Sequence, residues 1–245
     1  MITVVILTKN SSATLKKTLD SCLFFSEVIV LDTGSTDTTC QIAKGYPNVK
    51  IFYSEFLGFG KLRNIGASFA SNDWILALDS DEELSFELLE EIQHVRLDPA
   101  HIYSLPFHNF YKGKQIKCCG WHPEKHIRLY HRKTTAFKEF EVHEGIRVDS
   151  LQVIPFKHPI QHYPYRSIED FLTKMQIYTT LFAKQNRLKK PSSFLTAFFH
   201  GSYAFFKSYL FQRGIFYGGV GFIIATYNAS TAFYKYLKLA EENQK

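Results

Sequence analysis

The chain has 245 residues, 45% of them hydrophobic, so it is long enough for one or two domains with a sizeable core. Its formal net charge of +6 favours anionic partners such as phosphorylated substrates, nucleic acid or an acidic membrane surface. The sequence has no internal repeat and no low-complexity segment. No secretory signal is recognisable, so the four cysteines are expected to be reduced thiols, and their spacing matches no common zinc site.

The first hundred residues alternate strand and helix patterns. Between amphipathic helical stretches, apolar and β-branched runs predict strands at 2–7, 28–31, 49–53 and 74–78. This order implies parallel strands joined by right-handed crossovers, which is an α/β fold. Residues 101–163 instead contain short β-like pieces broken by glycine and proline, which indicates a mixed or antiparallel extension of the sheet with functional loops.

The C-terminal part is rich in helix patterns and aromatic side chains. Apolar residues recur at three- and four-residue steps across 167–187, and residues 194–239 predict one or two aromatic helices. The charge-free run 219–233 is shorter than the roughly 20 residues that a bilayer-spanning helix needs. An amphipathic anchor lying in the membrane plane is therefore expected, with packing on the chain's own domain or an oligomer contact as alternatives.

Polar groups follow three of the four predicted parallel strands. Asp79 and Asp81 flank Ser80 after the fourth strand, Asp32 ends the second, and Thr8-Lys9-Asn10 ends the first. Ligands of open α/β sheets bind at this edge. Two carboxylates two residues apart suit a divalent cation that also holds phosphates, whereas Asp32 is suited to accept a hydrogen bond from a base or ribose. The alternative is a set of ordinary solvated turns, because Asp and Ser are common turn residues.

A basic, glycine-containing stretch lies between the third and fourth strands. In Gly58-Phe59-Gly60-Lys61-Leu62-Arg63-Asn64 the glycines permit a tight turn, and Lys61 and Arg63 are candidates to neutralise a diphosphate. The stretch is neither a Rossmann fingerprint nor a Walker A loop, because it does not follow the first strand and lacks Gly-Lys-Ser/Thr. A flexible basic surface loop is the alternative.

These motifs, in this order and at this spacing, resemble the nucleotide-sugar half of family 2 glycosyltransferases with a GT-A, Rossmann-like fold. The resemblance covers about the first hundred residues. It implies that Asp81 holds a Mg²⁺ or Mn²⁺ ion that bridges to the diphosphate of the donor. It also implies a donor-binding set made of Thr8, Asn10, Asp32, Ser35, Lys61, Arg63, Asn64, Asp79 and Ser80.

The later pattern resembles a narrower group, the lipopolysaccharide core β-glycosyltransferases of Gram-negative bacteria, often named β-1,4-glucosyltransferases. The residues that carry it are 120–124, 127–130, 142–144 and 162–163. Glu124 stands where this group usually has Asp, which keeps the carboxyl group but lengthens its reach. The resemblance implies transfer of a hexose, glucose first, to a lipid-linked saccharide with inversion.

An inverting transfer needs a base for the acceptor hydroxyl, and a carboxylate is the usual choice. Glu144 is the first candidate and Glu124 the second, and the nearby Trp121 is expected to stack on a sugar of the acceptor. Arg128 is expected to contact phosphate or acceptor, or else to pair with a carboxylate. His162 is expected to complete the metal shell with Asp81, with a packing or acceptor role as the alternative.

The predicted organisation is a GT-A domain over 1–165, divided into a nucleotide-sugar half (1–100) and an acceptor half (101–165), and a helical, membrane-associating appendage over 166–245. The expected partners are the donor, the lipid-linked acceptor and a peripheral membrane contact, with no nucleic acid and an oligomer as an option. The expected location is the cytoplasm, at the cytoplasmic face of the inner membrane. The alternative functions are nucleotidyl transfer, which also uses paired acids, and non-catalytic binding of lipid or nucleic acid.

Overall fold

The computed structural model describes residues 1–139 and 145–245. Within these residues the chain forms one mixed sheet. Helices alternate with the first strands of the chain, and further helices form its C-terminal part, so the predicted α/β fold class is confirmed. The strands are β1 (Ile2–Thr8), β2 (Val28–Asp32), β3 (Val49–Tyr53), β4 (Trp74–Asp79), β5 (Glu82–Leu84), β6 (His101–Tyr111), β7 (Lys114–Gln115), β8 (Glu124–His131), β9 (Gln152–Pro155) and β10 (Ile160–Tyr165).

The strand order of the sheet is β3-β2-β1-β4-β8-β6-β10-β5, with β7 and β9 pairing to β6. The first four strands are parallel, and from β4 to β8 the direction reverses, as the short pieces after residue 100 predicted. In the registers, Thr8 pairs with Asp32 and Leu7 with Asp79. The polar ends of β1, β2 and β4 therefore meet at one edge of the sheet.

The helices are α1 (Leu15–Ser21), α2 (Thr39–Lys44), α3 (Phe59–Ser68), α4 (Phe86–His94), α5 (Ile168–Asn186), α6 (Phe194–Phe206) and α7 (Gly218–Glu242), with a π-helical turn (Lys207–Phe211) and a 3₁₀ turn (Gly214–Tyr217) between the last two. The apolar residues of β1, β2 and β4 are almost entirely buried, as expected of parallel strands covered on both faces. Gly66 lets α3 lie against β1, because a Cβ there would come within 2.6 Å of the Val5 side chain.

The chain divides into two compact units. The first contains Met1–His108 and Glu124–Tyr163, and the second contains Asn109–Pro123 and Pro164–Lys245. The predicted boundary lies at 165/166 and the predicted first domain includes 109–123, so the two divisions differ in that insertion. In the second unit, Ser167 and Asp170 form a reciprocal capping box that starts α5. Among the described residues, none of the helices has both the length and the apolar content to span a bilayer.

Candidate active site

The end of β2 is shaped by the carboxylate of Asp32, which is 2% exposed. Its Oδ1 accepts the backbone N–H groups of Gly34 and Ser35 at 3.0 and 2.9 Å, and its Oδ2 accepts the Ser35 hydroxyl. A carboxylate that accepts three local bonds fixes the turn in one conformation. Gly34 has a φ of 94°, which glycine adopts without steric cost. Asp32 therefore fixes this turn, and the predicted contact with a base or ribose stays a prediction.

The ends of β1, β2 and β4 are joined by hydrogen bonds. The Asn10 N–H donates to Ser35 Oγ at 2.9 Å, and the Thr36 N–H donates to Asn10 Oδ1 at 2.8 Å. The hydroxyls of Ser11 and Ser80 lie 2.7 Å apart, which ties β1 to β4. The structure thus brings together the three strand ends that the sequence singled out. The bonded groups, here called the strand-end ring, are Asn10, Ser11, Asp32, Ser35, Thr36 and Ser80.

Thr8 lies beneath this ring, and only 4% of its surface is exposed. Its backbone oxygen accepts the Thr33 N–H at 3.0 Å, in register with the end of β2. Its hydroxyl is buried without a hydrogen-bond partner among the described residues. Buried hydroxyls are normally satisfied, so a ligand or an ordered water is the expected partner.

Asp79 is held by two arginines. Arg63 Nη2 donates to Asp79 Oδ1 at 2.7 Å, and Arg128 Nη2 donates to Oδ2 at 3.1 Å. Burial disfavours the charged form of Asp79, but the two guanidinium groups outweigh it and hold the pKa of this carboxyl below its usual range. Both arginines are almost wholly buried. The contacts of Arg63 with a diphosphate and of Arg128 with phosphate or acceptor stay predictions, and the carboxylate pairing considered for Arg128 is present.

Glu82 completes this cluster and was missed by the sequence analysis. It is fully buried on β5, and Arg128 Nη2 donates to its Oε1 at 2.5 Å while the Asp79 N–H donates to its Oε2 at 2.9 Å. Burial, with the carboxylates of Asp79 and Asp81, raises the pKa of Glu82 to about 8 against the opposing effect of Arg128. The only sequence signal was its position immediately after Asp81.

Asp81 and His162 lie side by side. Their carboxylate Oδ1 and imidazole Nε2 are 3.7 Å apart, and both side chains are about one-fifth exposed. The pairing of β5 with β10 holds them there, since the Tyr163 N–H donates to the Asp81 backbone oxygen at 3.0 Å. Within 1–139 and 145–245 no group of three or more His, Cys, Asp or Glu side chains is arranged to hold a metal. A carboxylate and an imidazole nevertheless fit a divalent ion that takes its other ligands from phosphates and water.

A second row of polar side chains runs along β8. Glu124, His126 and Arg128 are two residues apart and so share one face of the strand. His126 Nε2 lies 2.6 Å from Glu124 Oε1, and the His126 ring meets Phe107 edge to face at a centroid distance of 4.9 Å. His126 is not among the residues that the sequence predicts for the site. The two-residue periodicity of a strand is the sequence signal that would have predicted its contact with Glu124.

The remaining predicted residues lie elsewhere. The Asn64 amide exchanges two hydrogen bonds with the backbone of Phe137, at 2.9 and 3.0 Å, and so pins that segment to α3. Lys61 is exposed on the first turn of α3 and pairs with none of the described residues. Trp121 belongs to the second unit, where it stacks on Tyr165 at 5.5 Å. Glu144 lies outside the described residues.

The fold and the site together define an α/β protein with a polar ligand-binding edge at its strand ends. Residues 3–154 match the family model "Glycosyl transferase family 2". An uncharacterised glycosyltransferase of Rickettsia typhi is 31% identical over 96% of this chain and 85% of its own length. A second, from Rickettsia prowazekii, is 30% identical with the same coverage. The chain therefore belongs to glycosyl transferase family 2 and is a sugar-transferring enzyme.

Shorter and more distant likenesses also occur. The prophage-derived glycosyltransferase SunS of Bacillus subtilis is 39% identical over 35% of this chain and 21% of its own length. The solved structure of S. aureus TarS 1–349 in complex with UDP covers 99% of this chain and 91% of that chain, with 18% identity and a TM-score of 0.49. Structural likeness at that level says nothing about the substrates of this chain.

Proposed function

We propose that this enzyme moves a hexose, with glucose as the first candidate, from a nucleotide diphosphate sugar to a lipid-linked saccharide such as the lipopolysaccharide core, with inversion. The observation that supports it best is the adjacency of the strand-end ring to the Asp81–His162 pair. Such an edge offers backbone and hydroxyl groups for a nucleoside and a carboxylate–imidazole pair for a metal-bound diphosphate. Family membership favours sugar transfer over the nucleotidyl transfer and non-catalytic binding considered above.

In the proposed reaction the acceptor hydroxyl oxygen attacks the anomeric carbon of the donor sugar. The bond from that carbon to the phosphate oxygen breaks, and the nucleoside diphosphate leaves. A carboxylate takes the hydroxyl proton as the new bond forms. Glu144 remains the first candidate for this base. Glu124 is the second, supported by its contact with His126, which holds the carboxylate on the β8 face.

The residues proposed to hold Mg²⁺ or Mn²⁺ are Asp81 and His162. Such an ion supplies positive charge that stabilises the departing diphosphate. Asp79 has a different proposed role: bound by Arg63 and Arg128, it fixes the end of β4 from which Asp81 projects.

Asp32 and Ser35 are proposed to shape the nucleoside side of the site through their turn. Lys61, exposed at the start of α3, stays a candidate for the diphosphate.

The acceptor and the cellular location are proposed from the resemblance to the narrower group of lipopolysaccharide core enzymes. The lipopolysaccharide acceptor rests on the resemblance of the stretches around Trp121 and Glu124. A lipid-linked acceptor places the enzyme in the cytoplasm at the inner face of the inner membrane, and in this proposal no nucleic acid takes part. The same resemblance makes glucose the first sugar to test.

A panel of nucleotide sugars tests the donor and the metal together. Each is added to the full chain with Mn²⁺, with Mg²⁺ or with a chelator, and thermal unfolding and donor hydrolysis are measured. One donor is expected to raise the unfolding temperature only with the metal, because a ligand that binds the native state alone stabilises it. Metal-independent stabilisation by every donor would contradict the proposed ion.

Matched variants separate the metal pair from the rest of the site. Asp81→Asn and His162→Gln are expected to abolish the metal-dependent shift and transfer while the unliganded protein still unfolds cooperatively. Glu83→Gln is the control, since Glu83 lies beside them on β5 but faces Lys17 at 3.9 Å. An Asp81→Asn enzyme that keeps a tenth of the wild-type rate, roughly a loss of only 1.4 kcal/mol in transition-state binding, would exclude the metal role.

A further inference from the structure

A row of large apolar side chains is exposed on one side of α6 and continues beyond it. Leu195, Phe199, Tyr203 and Phe206 recur at steps of four, four and three residues, so they share one helix face. The row continues in exposed residues of the following turns. We call the whole row the apolar stripe, and its members are Leu195, Phe199, Tyr203, Phe206, Leu210, Phe211, Ile215 and Phe216.

The apolar stripe is not the side of α6 that packs within the second unit. The opposite side of α6 is the one that packs, with Ala197 and Gly201 buried. A Cβ on Gly201 would lie 3.0 Å from the Phe233 Cβ, so α6 rests closely on α7 along that side. The stripe residues are 46% to 81% exposed. Isolated exposed apolar residues are ordinary, but eight large ones between Leu195 and Phe216 mark a contact surface.

The charge around the stripe selects the partner. From Phe171 to Ala240 the sequence contains nine Lys and Arg and no Asp or Glu. Lys189 and Lys190 are exposed just before α6, and Lys207 and Arg213 are exposed within the span of the stripe. An apolar face bordered by cations and free of anions is complementary to an anionic lipid surface, where aromatic rings enter the interface and cations meet headgroups.

A second copy of the chain fits this surface poorly. In a symmetric dimer the same patch meets itself, so Lys207 and Arg213 of both copies would face each other across a surface without acids. Like charges brought together in this way oppose association. We infer that the apolar stripe and its bordering cations form a docking surface for an anionic bilayer, with α6 lying in the plane of the membrane.

Vesicle flotation of the full chain tests the inference, using phosphatidylcholine vesicles with and without phosphatidylglycerol, at low and high salt. Binding is expected with the acidic vesicles, and salt is expected to weaken it without abolishing it, because screening acts on the charges but not on apolar burial. Absence of binding to acidic vesicles, or equal binding to neutral ones, would overturn the inference.

Paired variants assign any binding to the stripe. The double variant Phe199→Glu, Phe206→Glu is expected to lower vesicle binding at least about tenfold, because two carboxylates replace aromatic rings that would enter the lipid. Phe86→Glu is the control, as Phe86 is a 70% exposed aromatic on α4 of the first unit. If the double variant binds like the control, or if light scattering shows that it dissociates a dimer instead, the membrane assignment fails. Donor hydrolysis is expected to be unchanged in both variants, so this result is distinct from a failure of the proposed sugar chemistry.

Discussion

Inside a buried cluster of charged side chains, Arg128 Nη2 donates a hydrogen bond to Glu82 Oε1 at 2.5 Å. The same nitrogen reaches Asp79 Oδ2 at 3.1 Å, and Arg63 binds the other oxygen of Asp79. Two carboxyl groups and two guanidinium groups thus contact one another where β4, β5 and β8 approach α3. The carboxyl groups of Asp79 and Glu82 are therefore bound by arginine side chains of the protein. Asp81 is the acid that lies beside His162.

Glu82→Gln tests the raised pKa of Glu82. A carboxyl with a higher pKa in the folded than in the unfolded state makes the folded state bind more protons, so the free energy of unfolding falls as pH rises between about 4.5 and 8. The variant is expected to lose that part of the slope in urea unfolding measured across this range. Glu87→Gln, an exposed glutamate on α4, is the control. Identical slopes for wild type and Glu82→Gln would mean that Glu82 is ionised throughout.

Arg128→Met tests the ion-pair cluster. Removing one partner of a buried pair leaves carboxylates without compensation, and a loss of about 3–5 kcal/mol in the free energy of unfolding is expected. Adding Glu82→Gln is expected to give a loss that differs from the sum of the two single effects, because the two side chains are joined by a hydrogen bond. Strictly additive effects in chemical denaturation would show that the two side chains do not stabilise each other.

Asp32→Ala is expected to weaken binding of the nucleoside diphosphate more than it slows transfer. The reason is that Asp32 accepts the bonds that hold the Gly34–Ser35 turn, and the turn lies on the side of the strand-end ring proposed for the nucleoside. Calorimetry gives the affinity and single-turnover kinetics gives the rate. Ser35→Ala, which removes one of the three bonds, is expected to have a smaller effect in the same direction. An unchanged affinity would count against the assignment.

The two candidate bases are separated by Glu144→Gln and Glu124→Gln. The variant that has lost the base is expected to keep donor affinity and to lose a factor of about 10² to 10⁴ in turnover, since glutamine cannot take the proton. If Glu124 is the base, His126→Gln is expected to shift the pH profile of turnover as well, because His126 contacts that carboxylate. Near wild-type turnover in both glutamine variants would exclude both residues.

The fold could be predicted from the sequence because its signals are local. Uninterrupted apolar runs ending in polar residues gave β1, β2 and β4, and parallel pairing then required their carboxyl ends to meet. The meeting of Asn10, Asp32 and Ser80 at one edge follows in the same way, whereas the hydrogen bonds among the strand-end groups do not. Neither inference needed a long-range contact beyond the order of the strands.

The partners of the arginines could not be predicted, because they depend on pairings across the sheet. Arg128 lies 49 residues from Asp79 and 46 from Glu82, and no sequence spacing relates them. Asn64 likewise meets Phe137 across 73 residues. The sequence by itself determined the parallel half-sheet and which residue types stand at its edge, because hydrophobic periodicity is a property of neighbouring residues. Only the tertiary structure decided which charges neutralise each other and which face of α6 stays exposed, because both depend on what packs against each side chain.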